Sequence, residues 1–194
     1  SAHLVGAGTL LSYSALTIGC ARRFAAYKRA ALLLRDPERL QRLLCDPRRA
    51  VQLIFSGKAH PADQEGKRVL REVFNATRDS RFEGRIAFIE DYELHVAHRL
   101  VHGVDLWLNL PRVPLDACGT SGMKAALNGV PQLGTEDGWW AEGYTGLNGW
   151  MIPAANPDNG DPDEADAEQL FRLLEEEVVP LYFARDARGV PVEW

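Results

Sequence analysis

Residues 85–134 read RIAFIEDYELHVAHRLVHGVDLWLNLPRVPLDACGTSGMKAALNGVPQLG, and this stretch decides the fold. Arg85-Ile-Ala-Phe-Ile89 is a short apolar run of the kind that makes a buried strand. Glu93 to Val101 has helical spacing, and Asp105-Leu-Trp-Leu108 is a second apolar run. Thr120 to Asn128 is a second helix, stopped by Gly129, and Pro131 to Gly134 is a third run. Strands alternating with helices imply parallel strands joined by right-handed crossovers.

The same alternation extends upstream. Ala15-Leu-Thr-Ile-Gly19 and Val51-Gln-Leu-Ile-Phe55 read as two further buried strands. Phe24 to Leu34 (FAAYKRAALLL) reads as a helix with an alanine and leucine face. Pro37 after Asp36 starts another helix through about Leu44, and Asp63 to Thr77 a third. Downstream, Leu170, Leu173, Leu174 and Val178 fall at helical spacing, as in a packed outer helix. The expectation is an α/β chain with a doubly wound, Rossmann-like parallel sheet. It is read as one domain over residues 1–194, with a solvated acidic loop at about 156–168 and a C-terminal helix at about 166–181.

Ligands bind such sheets beyond the carboxyl ends of the strands. Every unusual segment of this chain falls there: Ala21-Arg22-Arg23, Ser56-Gly57-Lys58, Glu90-Asp91-Tyr92, the loop after Leu108, and Thr135-Glu136-Asp137-Gly138. Within the central loop, Gly119-Thr120-Ser121-Gly122 leads directly into Met123-Lys124-Ala125-Ala126-Leu127. Free N–H groups at a helix start bind anions, and glycines let the backbone approach closely. Lys124 there has two available jobs: neutralising a phosphate, or attacking an aldehyde as a free amine to form a Schiff base. The bland alternative is a Thr- or Ser-capped helix carrying a solvated lysine. The Walker spacing is absent, because only two residues separate Gly119 from Gly122 and Ala125 follows the lysine.

Composition narrows the field. With 194 residues, 46% hydrophobic and 25% charged, the chain has enough apolar material for a substantial core, which excludes disordered and collagen-like classes. A formal charge of -5 gives no general attraction to nucleic acid or to an anionic membrane, so an anion site must be a local cluster such as Arg22 to Lys28. Cys20, Cys45 and Cys118 are odd in number and form no CxxC pair, which points to reduced thiols in a cytoplasmic protein. Leu4 to Ala21 lacks charge but is too rich in Gly, Ser and Thr for a membrane helix or a signal. The chain opens at Ser1 without a methionine, and is read as part of something longer.

Other features carry less. His95, His98 and His102 share a helix face without a carboxylate or cysteine at ligand spacing, and read as solvated surface rather than a metal site. Asp158-Asn-Gly-Asp lacks the glycine placement of a calcium loop. Trp139, Trp140, Tyr144 and Trp150 stand among glycines, where they either cover a site or pack inward, the latter for at least two of them.

The stretches LTIGCARRFAAYKR, FSGKAHPADQEGK, FIEDY, VDLWLNLPRVPLDACGTSGMKAALNG and DGWWAEGYTGLNGW occur in that order between residues 16 and 150. They resemble the α-glucan (glycogen, maltodextrin) phosphorylases of the shorter bacterial and archaeal type. The resemblance implies the C-terminal half of a glycosyltransferase-B fold, holding pyridoxal 5'-phosphate as cofactor. It implies that Lys124 forms the Schiff base, and that Gly119, Thr120, Ser121 and Gly122 with Arg22 cradle the cofactor phosphate. Tyr92 would lie against the cofactor, Arg23 and Lys28 would hold substrate phosphate, and Tyr27 and Asp116 would reach sugar hydroxyls. The implied reaction is phosphorolysis of an α-1,4-glucan to glucose 1-phosphate, with an N-terminal glucan-binding domain that this chain does not contain. A homo-oligomer is left open.

Asp116 stands where many members have Glu, Cys118 where many have Ser, and Arg22 where many have Lys. A nucleotide-sugar glycosyltransferase of the same fold is the first alternative, but it has no use for a cofactor lysine in GTSGMK. A pyridoxal-phosphate aminotransferase needs an Asp on the pyridine nitrogen, and none can be placed. A non-catalytic cofactor- or glucan-binding domain is the third.

Overall fold

The computed structural model describes residues 3–6, 11–155 and 160–194. Seven strands form one sheet: β1 (Leu4–Gly6), β2 (Leu16–Ala21), β3 (Val51–Ser56), β4 (Ile86–Ile89), β5 (Leu106–Asn109), β6 (Gln132–Thr135) and β7 (Gly149–Ile152). Their spatial order is β1-β4-β3-β2-β5-β6-β7, and every pair is parallel except β1 with β4.

The period-2 pattern of the strands builds two cores. Leu16, Ile18 and Cys20 of β2, with Val51, Leu53 and Phe55 of β3, face a large core shared with α1 (Pro37–Leu44), α2 (Gln64–Ala76), α6 (Pro162–Leu173) and α7 (Val179–Phe183). Ala21, Ile54 and Trp107 face the opposite side, against α3 (Leu94–Gly103) and α4 (Thr120–Leu127). Gly19 belongs to this second face, where a Cβ would come 2.8 Å from Val104, so helix and sheet approach closely there. Helices on both faces of a mainly parallel sheet make this a doubly wound, Rossmann-like fold. None of the helices among the described residues is long and apolar enough to cross a membrane.

Two expectations need correcting. Residues 24–34 are not a helix but two short 3-10 turns, Ala26–Lys28 and Leu32–Arg35, interrupted at Arg29, whose φ is +47°. Helix-forming residues lose here to tertiary demand, because Arg29 turns its guanidinium inward onto the carbonyls of Leu110 and Pro111. The acidic stretch is largely helical, since α6 begins at Pro162 with Asp161 as its cap. Residues 156–159, and with them part of the candidate calcium loop, lie outside the described residues. The C-terminal helix is present and longer than expected, running from Pro162 to Phe183 with a wider π turn at Leu174–Val178 between α6 and α7. Strands β1 and β7, and the short α5 (Trp139–Gly143), were not anticipated.

Candidate active site

The site is built at the carboxyl ends of β2 and β5, where the crossovers leave on opposite faces of the sheet. From β2 the chain continues alongside the residues after β3: the Arg22 amide donates to the Ser56 carbonyl at 3.1 Å, and Phe24 to that of Lys58 at 2.9 Å. A Cβ on Gly57 would stand 2.0 Å from the Arg22 carbonyl oxygen, so glycine is what permits this approach. Arg22 is thereby directed inward and buried, while Arg23 is exposed. Tyr27 and Lys28 follow on the first 3-10 turn, with the Lys28 ammonium 5.1 Å from the Tyr27 ring centre.

From β5 the chain runs to Asp116, which is 6% exposed. Its carboxylate accepts from Arg22 Nη2 at 2.9 Å and lies 3.4 Å from Lys28 Nζ. Its amide donates to Asp137 Oδ2 at 2.8 Å, and Asp137 Oδ1 accepts from the Gly138 amide at 2.9 Å. The Trp139 amide closes the clamp on the Cys118 carbonyl at 2.8 Å. The loop from Asp116 to Cys118 is thus held from β6.

Gly119, at φ +78°, turns the chain into α4 with no side-chain cap. Capping by Thr or Ser is therefore not what happens. The first-turn amides of Thr120 and Ser121 have no intrahelical acceptor, and both residues line a cavity of about 510 Å³. Lys124 stands one turn further on the same helix and also lines the cavity.

Arg22, Arg23, Tyr27, Lys28, Tyr92, Asp116, Gly119, Thr120, Ser121 and Lys124 all border this one space. Gly122 does not. A Cβ there would meet Gln132 Oε1 at 1.9 Å and Trp139 Nε1 at 2.7 Å, so Gly122 serves close packing behind the helix. Trp107, Val101 and Leu115 supply an apolar wall. Sequence reasoning missed Trp107 and Asp137; the first was legible only as strand, the second only as part of a rim segment.

Four cations, Arg22, Arg23, Lys28 and Lys124, face one carboxylate, Asp116. Arg22 Nε and Nη1 are buried without a hydrogen-bond partner. Leaving such groups unpaired costs about 1–3 kcal/mol each, and an anion in the cavity is what would satisfy them. Tyr92 is half-buried, and burial raises its hydroxyl above the usual tyrosine range, with Cys20 adding to the rise and Arg22 opposing it. A larger cleft of about 690 Å³ lies between α1 and α6. Its arginines are already paired, Arg35 with Asp161 and Arg39 with Glu168 and Glu175, so it offers no surplus charge.

The thiols provide a check on this geometry. Cys20 is buried, and burial pushes its thiol up to about 11 against the pull of Arg22 and Lys28. Cys45 is half-buried, with a thiol raised mainly by burial and further by Glu83, whereas Cys118 is exposed on the cavity wall. Iodoacetamide at about pH 8 is expected to label Cys118 first, Cys45 more slowly and Cys20 only after unfolding, as read by peptide mass spectrometry. Labelling of Cys20 in the folded chain would contradict the packing described.

The sequence matches the family profile described as carbohydrate phosphorylase over residues 11–142. It is 53% identical over 191 residues to a glycogen phosphorylase of Aquifex aeolicus, covering 98% of this chain and 28% of that protein. It is 50% identical over 179 residues to a maltodextrin phosphorylase of Thermococcus litoralis, covering 91% and 22%. A glycogen phosphorylase of Mycobacterium tuberculosis is 47% identical over 195 residues, with 100% and 23% covered. The chain spans about a quarter of the length of these relatives.

Proposed function

The chain belongs to the carbohydrate phosphorylase family, and we propose that it is the cofactor-carrying half of an enzyme that cleaves α-1,4-glucan with inorganic phosphate, releasing glucose 1-phosphate. The family implies a pyridoxal-phosphate-dependent class, and the cations, the unpaired Arg22 N–H groups and the helix start that line the cavity fit that group. The observation that carries the reading is the buried guanidinium of Arg22, with two N–H groups unpaired beside the uncapped start of α4.

Lys124 would hold the cofactor covalently. The Thr120 and Ser121 amides and Arg22 would hold its phosphate. Bound in this way, pyridoxal phosphate would supply a phosphate group able to act as proton donor and acceptor beside a substrate phosphate. Arg23 and Lys28 would hold that second phosphate, and Asp116 and Tyr27 would orient the sugar through its hydroxyls. Unit negative charges about 5 Å apart repel by roughly 3 kcal/mol at an effective dielectric of 20, so two phosphates need cations on several sides. Arg22, Arg23, Lys28 and the α4 N-terminus provide them from three directions. The wall of Trp107 and Val101 excludes water on the inner side. The outer side is open in this chain. We assign the opposite wall and most glucan contacts to a glucan-binding domain such as the longer relatives have room for. Three free thiols support a reducing compartment, and we place the chain in the cytoplasm.

Borohydride reduction of the chain incubated with pyridoxal phosphate, followed by digestion and peptide mapping, is expected to place the pyridoxyl group on Lys124. A label on Lys58 alone, or on no lysine, would remove the cofactor assignment.

A further inference from the structure

The first residues of α6 touch no part of the cavity, yet they are wired to both segments that carry its charges. Arg29 directly follows Lys28 and is 5% exposed. A non-glycine residue stays at its positive φ only when its surroundings hold it there. Its Nε donates to the Leu110 carbonyl and its Nη2 to the Pro111 carbonyl, each at 2.9 Å. On the other side it pairs with Asp163 at 2.9 Å and with Asp166, which is as buried as Arg29 itself, at 2.7 Å. Asp163 also receives Arg112, and Arg35 stands 3.6 Å away. The Arg112 amide donates to the Tyr27 carbonyl at 2.7 Å, and Thr135 Oγ1 donates to Pro111 at 2.7 Å. Residues 27–29, the 110–112 strand exit and α6 therefore meet in one polar knot behind the cavity.

We infer that Asp163 and Asp166 are positioning residues for the anion cavity: acting through Arg29, they fix the spacing between the Lys28 turn and the loop that carries Asp116. This rests on the proposed function for the class of ligand, a phosphate monoester or inorganic phosphate. Lys28 is the neighbour of Arg29 in the chain, and Asp116 lies five residues beyond Pro111. With either carboxylate neutralised, the buried Arg29 keeps only one of its two close counter-charges, and its position shifts toward the one that remains. Moving it takes along both the Lys28 turn and the Pro111 carbonyl, and the 3.4 Å approach of Lys28 to Asp116 changes with them. Asp163 is consistent with this tie: burial works against its charge, yet hydrogen bonds from Arg112 and Arg29 together hold its carboxyl below the usual range.

The test compares the chain with Asp163→Asn, Asp166→Asn and, as a control, Glu175→Gln, which removes a partner of Arg39 on the turn after α6 and outside the knot. Dissociation constants for pyridoxal phosphate and for inorganic phosphate are measured by calorimetry, with melting temperatures alongside. Both aspartate variants are expected to weaken phosphate ligands by about tenfold, with the control unchanged in affinity even where its melting temperature falls as far. If Asp166→Asn does not fold, Asp163→Asn, which leaves Arg29 its Asp166 partner, is read by itself. Affinity equal to wild type in the folded aspartate variants, or an equal loss in the control, overturns the inference. The two claims separate cleanly. A wild-type chain without a borohydride-reducible link at Lys124 overturns the cofactor reading, whereas phosphate affinity indifferent to the aspartates overturns the positioning role.

Discussion

Arg22→Met is expected to lower the affinity for pyridoxal phosphate about a hundredfold, roughly 2.7 kcal/mol, while leaving the fold nearly as stable as before. Both halves of that outcome come from the same observation. Arg22 is 6% exposed, and two of its three guanidinium nitrogens are buried without partners. Its desolvation is compensated by a single ion pair with Asp116, and a buried pair of that kind often contributes little net stability over an apolar side chain of similar length. Asp116 keeps Lys28 as a counter-ion, which limits the loss on its side. An incoming phosphate, by contrast, loses its only buried guanidinium partner among the described residues that line the cavity. The measurements are a calorimetric titration and a thermal melt. Unchanged affinity would mean that the anion does not sit at Arg22, and a loss of folding would mean that the guanidinium is structural.

Gly138→Ala is expected to have the other large effect, this time on the fold. Gly138 has φ 55° and ψ −138°, a region that side chains scarcely enter. A Cβ would come 2.6 Å from the Cys118 carbonyl oxygen and 2.8 Å from that of Asp116, and these are backbone atoms that cannot step aside singly. Strain and overpacking together cost roughly 3–5 kcal/mol, which lowers the melting temperature by about 10 °C. Gly146→Ala separates the two terms, because Gly146 also has a positive φ of 81° but nothing within 4 Å of its Cβ position. It is expected to show only the conformational part, about 1 kcal/mol. Equal melting temperatures for the two variants would show that the Gly138 contacts do not matter. Anion affinity is expected to fall in Gly138→Ala alone, since only there is the Asp116 loop displaced.

The sheet was legible because its strands are buried on both faces and so read as unbroken apolar runs, as in Val51–Ser56. The edges were not. Strand β7, Gly-Trp-Met-Ile, is half-exposed and follows a glycine-rich loop, and β1 is three residues long. Residues 24–34 show the limit of propensity. Nothing in their sequence says that Arg29 adopts a left-handed conformation, because the cause lies in carbonyls 81 and 82 residues away. The start of α6 is a different case. Asp161-Pro162 carries the same cap and first-turn proline as Asp36-Pro37, but its acidic surroundings suggested a loop. In the site, residues adjacent in sequence to glycines and cations could be gathered onto one rim. Which side of α4 each faces could not be read, and so Gly122 was grouped with the cavity although it faces Gln132. Asp137 escaped for the same reason as Arg29: its role is a hydrogen bond to an amide 21 positions earlier.

Strand β1 alone runs against its neighbour, with Leu4 opposite Ile89 and Gly6 opposite Ala87. The Glu90 amide donates to the His3 carbonyl at 2.9 Å, which pins the start of that strand beside the carboxyl end of β4. Two residues further on, Tyr92 borders the cavity. His3 itself therefore stands on the same rim as the cavity, not beneath the sheet. A fluorophore carried on residue 3 itself, through His3→Cys, sits exposed on that side and reports on what occupies the cavity.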